Sequence, residues 1–218
     1  MKQPFYKPRI RADGLAVVIG NGPSRANVDL MQFVRNEYPT YGCNALYREY
    51  SPRYDVPHIL VAIDDGMIAE IESSGFPQDR LWVPPVDERW EPAIVNPSRP
   101  RANAGVIAIK RALEDGHRSI LCLGFDFLVR DDRAVLNVYD GTMNYGPTTR
   151  ATINDSRRRI RFLEWVALSY KSDGARIFTA FPNSYAAYGS TKSEFHAVGV
   201  DNVMRIWYND LELEGVEL

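Results

Sequence analysis

The stretch Leu15-Ala16-Val17-Val18-Ile19-Gly20-Asn21-Gly22-Pro23-Ser24-Arg25 decides the fold. Five apolar, largely β-favouring residues run into two glycines separated by one asparagine, and a polar, proline-bearing segment follows. A buried strand that breaks into such a turn ahead of a helical pattern is how an α/β unit opens. The glycines let the backbone turn tightly and approach a ligand closely, and a helix starting just after them would offer free N–H groups to an anion such as phosphate. Gly20, Asn21, Gly22, Pro23 and Ser24 are therefore the first candidate nucleotide-binding residues. The loop lacks the Gly-Lys-Ser/Thr ending of a Walker A sequence, and Arg25 stands where a dinucleotide fingerprint has its third glycine.

Outward from this loop, short β-rich runs recur at Thr40–Asn44, Ile59–Ile63, Leu81–Val83, Ser119–Leu123 and Ala175–Thr179. Helical patterns alternate with them. Asn103 to Glu114 carries Val106, Ile109 and Leu113 on one face, with Asn103 as N-cap and Gly116 as the stop. A longer helix is expected from Asn154 to Ser172, with Ile160, Leu163, Ala167 and Tyr170 on one stripe and Gly174 at its end, and a short one over Met67–Ser73. The alternation predicts a single Rossmann-like α/β domain over residues 1–218, a mostly parallel sheet with helices on both faces and a core between residues 15 and 190. Between Asp126 and Thr152 the periodicity lapses, with Asp140-Gly141 and Gly146-Pro147 as turn signals, so a long loop or lid is expected there.

Composition narrows the partners. Of 218 residues, 45% are hydrophobic and 25% charged, and 28 acidic against 26 basic side chains leave a net charge of −2. That balance supplies no long-range pull toward nucleic acid or an anionic membrane. No apolar run approaches the ~20 residues of a membrane helix, and Met1–Asp13 has basic residues without the apolar core of a secretory signal. Cys43 and Cys122 each lie inside an apolar run and read as buried thiols of a reducing cytoplasm. The expected partner is a small nucleotide or nucleotide sugar; a homo-oligomer is compatible with the same composition.

In a parallel sheet ligands bind beyond the carboxyl ends of the strands. Asn44 stands at one such end, Asp64 and Asp65 at the next, Asp126 after the fifth strand and Phe181-Pro182-Asn183-Ser184 after the sixth. Asp64 and Asp65 could hold a divalent cation or cap the following helix. Arg101 precedes the Asn103-Ala104-Gly105 helix start, where a guanidinium and free amides can face a phosphate together. Tyr139 and Tyr145 lie in the long loop near the same edge. His58 and His117 precede strands, at the wrong edge for catalysis. In the cluster Arg157, Arg158, Arg159 and Arg161, positions 157, 158 and 161 share one helix face, which reads as solvated in preference to a nucleic-acid contact.

These elements resemble, in order, the bacterial sialyltransferases of glycosyltransferase family 42. Val17 to Ser24 with Val28-Asp29 is similar to the family's opening, and Cys43-Asn44 to a Cys-Asn pair whose Asn contacts the nucleotide. Arg101 with Asn103-Ala104-Gly105 is similar to an element cradling the same ligand; Leu123-Gly124-Phe125-Asp126-Phe127, Phe162-Leu163-Glu164 and Pro182-Asn183-Ser184 resemble the later strand, helix and strand. The resemblance implies a CMP-sugar donor, no required cofactor, a glycan acceptor, and direct displacement of CMP by an acceptor hydroxyl. The family's general base is a histidine ahead of the long helix, where this chain has Ala151 beside Arg150. Asp126 is then the substitute base, with Tyr139 or Tyr145 assisting the leaving phosphate. Two alternatives follow. Gly-x-Gly-Pro-Ser also resembles the 6-hydroxymethylpterin pyrophosphokinase-like proteins, which implies Mg-bound ATP held through Ile63-Asp64-Asp65-Gly66, and the absent histidine fits a non-catalytic nucleotide-binding module.

Overall fold

The computed structural model describes residues 14–50, 56–89, 102–128, 137–146, 152–184, 200–211 and 213. Strand β1 (Leu15–Ile19) is buried on both faces, as a continuous apolar run in a parallel sheet must be. It pairs with β2 (Thr40–Cys43) on one side and β5 (Ser119–Leu123) on the other. Beyond β2 lie β3 (Ile59–Val61) and β4 (Leu81–Trp82); beyond β5 lie β6 (Arg176–Phe181) and β7 (Val203–Trp207). The order is β4-β3-β2-β1-β5-β6-β7, with every pair parallel. The fold is therefore the expected Rossmann-like α/β sheet.

Alternation along the strands builds two cores. Ala16, Val18, Tyr41, Ile59, Ile120 and Ile177 face α4 (Ala104–Glu114) and α5 (Ile153–Ser169). Leu15, Val17, Ile19, Leu60 and Leu121 face α1 (Met31–Arg35), α2 (Asp65–Ser73) and the 3₁₀ segment Asn44–Glu49. One four-residue helix, α3 (Val86–Arg89), follows β4. The Asn103 side chain accepts from the Val106 amide at 3.2 Å and so caps α4, and Thr152 with Asp155 forms a capping box that fixes the start of α5. Both cysteines are free, buried thiols. His117 is buried beneath the amino end of the sheet, and His58 is tied to Thr40.

The sheet extends past the expected core. β7 begins at Val203, and Val200, Val203 and Tyr208 are buried. Among the described residues no helix is long and apolar enough to cross a membrane.

Candidate functional site

The strand order reverses between β1 and β5, and this is where an open parallel sheet leaves a crevice. Ile19 pairs with Leu123, so the two strands end level. Their successors, Gly20 and Gly124, then meet backbone to backbone: the Gly20 amide donates to Leu123 O at 2.7 Å and the Gly22 amide to Gly124 O at 2.9 Å. A side chain at Gly20 would put its Cβ 2.6 Å from Gly124 O, and one at Gly124 would lie 2.7 Å from Gly20 O with φ at +72°. Glycine is demanded here by the neighbouring backbone.

The segment after the glycines departs from the expectation of a helix start. Pro23–Arg25 is a single 3₁₀ turn, and α1 begins only at Met31. The Ser24 amide and hydroxyl both donate to Asp126 Oδ2, each at 3.1 Å. A carboxylate of this chain thus holds the donors that were read as a phosphate cradle. Asp126 is 1% exposed, and a Cβ on Gly22 would run into that same Oδ2. Tyr208 donates to Ser24 O at 3.1 Å from the C-terminal end of β7, which fixes the turn from the far side.

The anion-friendly helix start at the crevice belongs to α4. Asn103, Ala104 and Gly105 line a cavity of about 140 Å³ together with Gly20, Asn21 and Gly22. The side chain of Asn103 caps the Val106 amide, and because Asn103, Ala104 and Gly105 line the cavity, the positive end of the α4 dipole lies at it. Arg159 of α5 lines the same space, and its charge reaches the Cys43 thiol on the cavity wall. Burial pushes that thiol up to about 12, against the pull of Arg25 and Arg159, so Cys43 is protonated at neutral pH.

Asn44 lines the same cavity at the end of β2, with φ at +48°, a left-handed conformation that asparagine tolerates better than most residues. Its Nδ2 donates to Asp64 Oδ2 at 3.3 Å, while its Oδ1 is buried with no hydrogen-bond partner among the described residues. Asn21 donates to Cys43 O at 3.0 Å and accepts from Arg25 at 3.4 Å.

A third wall comes from residues 137–146, the longest described part of the long loop, whose first residues Asp126–Leu128 form a 3₁₀ turn. Asn137, Asp140 and Tyr145 line the cavity, and the segment is a run of turns. The Tyr145 hydroxyl lies beside the Ala45 amide and the Asn44 and Asn21 side chains, and burial raises its pKa. Tyr139 does not line the cavity. Its hydroxyl donates to Glu49 and accepts from Arg25 at 3.1 Å. Arg25, 3% exposed, also donates to Gly20 O at 2.5 Å and pairs with Glu49 at 2.8 Å. Burial opposes its charge, but Glu49 and Tyr139 more than restore it and raise its pKa above the usual value.

Of the residues named from the sequence, Gly20, Asn21, Gly22, Asn44, Asn103, Ala104, Gly105, Asp126 and Tyr145 therefore converge on one cavity. Pro23 and Ser24 support it from behind, and Tyr139 stands in its supporting ion-pair network. Asp64 and Asp65 do not line it; Asp64 accepts from Asn44 and Asp65 pairs with Arg89 at 3.3 Å. Pro182, Asn183 and Ser184 also lie off it. Arg101, Arg150 and Ala151 lie outside the described residues. Sequence reasoning missed Cys43, Gly124, Phe125, Phe127, Asn137, Asp140 and Arg159 on the lining. The expected solvated arginine face is corrected in part: Arg158 and Arg159 are half-buried, Arg159 at the cavity, while Arg157 and Arg161 do face solvent. The signal was present, since Arg159 sits beside Ile160 on the stripe that leads to Leu163.

No family model matches the chain, and no curated protein does. Among solved structures, the chain is similar to the enoyl-[acyl-carrier-protein] reductase (NADH) from Aquifex aeolicus VF5, at 14% identity over 91% of this chain and 98% of that one, with a TM-score of 0.31. A likeness at that score carries no argument about function.

Proposed function

We propose that the switch-point cavity binds the nucleotide part of a CMP-sugar type donor and that the chain is a sialyltransferase-like glycosyltransferase. The observation that carries this reading is the convergence of the α4 amino terminus and Arg159 on the Gly20–Gly22 loop. Helix amides, a guanidinium and close-approach glycines are complementary to a phosphate. The buried Oδ1 of Asn44 is an acceptor awaiting a donor on the ligand, and the strained backbone beneath it is the kind of feature that concentrates at binding sites.

In the proposed reaction the acceptor hydroxyl oxygen bonds to the anomeric carbon as the bond from that carbon to the phosphate oxygen breaks. The electron pair leaves on CMP, where the helix terminus and Arg159 stabilise it. Asp126, already tied to Ser24, fixes the glycine loop; Asp140, the other carboxylate on the lining, takes the acceptor proton in place of the family's histidine. Tyr145 is the tyrosine available to the leaving phosphate, since Tyr139 lies off the cavity. The reading requires no metal. The pyrophosphokinase alternative would place Mg²⁺ at Asp64 and Asp65, where the cation would have to displace Arg89. Among the described residues no group of three or more His, Cys, Asp or Glu side chains gathers around a common point.

Calorimetric titration with CMP, CDP, ATP and GTP, each with and without magnesium, tests the assignment. CMP binding independent of magnesium is expected, weakened about tenfold or more in Asn44→Ala and Arg159→Met because each removes a polar contact to the ligand. Magnesium-dependent ATP or GTP binding would replace this reading with the pyrophosphokinase one. CMP binding without transfer to any glycan acceptor would mark a binding module.

A further inference from the structure

Three of the cavity-lining residues, Asn137, Asp140 and Tyr145, sit on a segment with little apolar anchorage at its tip, where Met143 is 67% exposed. Its internal bonds are turn bonds: Asp140 N to Asn137 O at 3.0 Å, Thr142 N to Tyr139 O at 3.1 Å, Tyr145 N to Thr142 O at 2.9 Å and Gly141 N to Tyr145 O at 2.8 Å. Turns of this kind do not by themselves hold a short segment against a cavity. Something outside it must.

The start of the segment is tied by Val138 N to Asn21 O at 2.9 Å, and Tyr139 and Tyr145 pack on the core, with Tyr139 also accepting from Arg25; the tip between them is anchored on Arg48, in the 3₁₀ segment that follows β2. Its guanidinium donates to Thr142 Oγ1 at 2.6 Å and to Met143 O at 2.9 Å, binds Glu70 of α2, and lies 5.5 and 5.9 Å from the ring centres of Tyr139 and Tyr145. Glu70 in turn accepts from Tyr47, and from Asn144 Nδ2 at 2.6 Å. Burial alone would raise the Glu70 pKa; the donors from Tyr47, Arg48 and Asn144 outweigh it and hold the carboxylate below its usual range. Arg48 thus joins two elements of the body to the tip of the segment through one planar, multiply donating group, which a single ammonium could not reproduce.

We propose that Arg48 is a positioning residue of the nucleotide site, holding Asp140 and Tyr145 at the cavity through residues 137–146 before any ligand arrives. The inference rests on the proposed function for what the cavity binds, but not for how its wall is held. It makes the wall pre-organised, so ligand binding does not bear the cost of ordering it.

Hydrogen exchange and CMP titration separate the two claims. In Arg48→Met, amides of residues 137–146 are expected to exchange about tenfold faster or more while those of β1 and β5 are unchanged, because only the local opening free energy falls. CMP affinity is expected to drop by about tenfold in the same variant, the wall now being ordered only on binding. Arg48→Lys should restore the pairing with Glu70 yet leave exchange at Thr142 and Met143 fast, an outcome a purely stabilising charge pair would not give. Thr142→Val removes one bond to Arg48, leaves Glu70 paired, and provides a milder variant should Arg48→Met fold poorly. Unchanged exchange in both Arg48→Met and Thr142→Val overturns the proposal, and so does faster exchange with undiminished CMP affinity. If the unmodified protein fails to bind CMP, the proposed function falls while the exchange result still decides the role of Arg48.

Discussion

The floor and the side wall of the same cavity are built by opposite means. The floor is largely backbone against backbone: Gly20 and Gly124 pack where two parallel strands end level, with the Asp126 carboxylate seated against Gly22. The wall at residues 137–146 is held mainly by side chains, through Arg25 with Glu49 and Tyr139 and through Arg48 with Glu70 and Asn144. Each part is therefore vulnerable to a different kind of substitution. Steric substitutions at the glycines act first on the floor; charge substitutions at Arg48 or Glu70 act first on the wall.

The largest expected effect follows from two glycines that share a left-handed conformation. Gly124 has φ +72° with backbone 2.7 Å from a virtual Cβ, and Gly141 has φ +83° with nothing within 4 Å. Alanine at Gly124 must bear both the conformational strain and the overlap, together about 3 kcal/mol of lost stability. At Gly141 only the strain remains, about 1 kcal/mol, and it falls on the wall. Urea denaturation of both variants checks this. Equal losses would show that the strand ends relax apart easily and that the floor is not rigid.

A smaller effect is expected from Glu70→Gln, which keeps the shape and removes the charge. Its folded-state pKa is lowered from the usual 4.5, so its ionised form contributes stability that is present above that value and lost as pH falls below it. The variant should lose about 1–2 kcal/mol at neutral pH, a partly buried pair lying between the exposed and buried extremes. It should also flatten the acid limb of the stability curve below pH 4.5. Exchange in residues 137–146 should accelerate in the variant at pH 7 and, in the unmodified protein, as the carboxylate protonates. A variant whose acid limb matched that of the unmodified protein would place the acid sensitivity elsewhere than at Glu70.

The floor was legible in the sequence because its determinants are contiguous. Strand, glycine, glycine and polar turn fall within eleven residues, and the Asn103 cap lies beside the helix it starts. Strand ends moved by one or two residues, from Ala175–Thr179 to Arg176–Phe181 for example. β7 escaped notice because Met204, Arg205, Ile206 and Trp207 are all half-buried at the sheet edge, and their alternation of polar and apolar residues is weak. The wall was illegible for a different reason. Arg48 meets Thr142 and Arg25 meets Tyr139 across long stretches of chain, and nothing local to either arginine marks a partner so distant. The reading of Ser24 failed on the same account, since its amide faces Asp126 from the next strand of the sheet.

The smallest of these effects comes from the end of the sheet opposite the cavity, and it separates the body from the wall on the pH axis. His117 is buried with its ring edge-on to Tyr41, 5.7 Å between centres. Desolvation is the main cause that lowers its pKa from 6.5; Asp115 and the Gly14 backbone oppose the shift and Arg118 adds to it. A lowered pKa means that the unfolded chain takes up a proton before the folded one does, so stability declines as pH falls below about 6.5 and levels off once the folded histidine is also charged. Because His117 lies under β1 and β5, this decline should speed exchange in those strands, whereas Glu70 acts lower on the pH scale and on residues 137–146. His117→Leu should remove the upper inflection and leave the lower one. If instead the substitution shifted the exchange of residues 137–146 and left β1 and β5 alone, the floor and the wall would belong to one cooperative unit, and the division between them would fail.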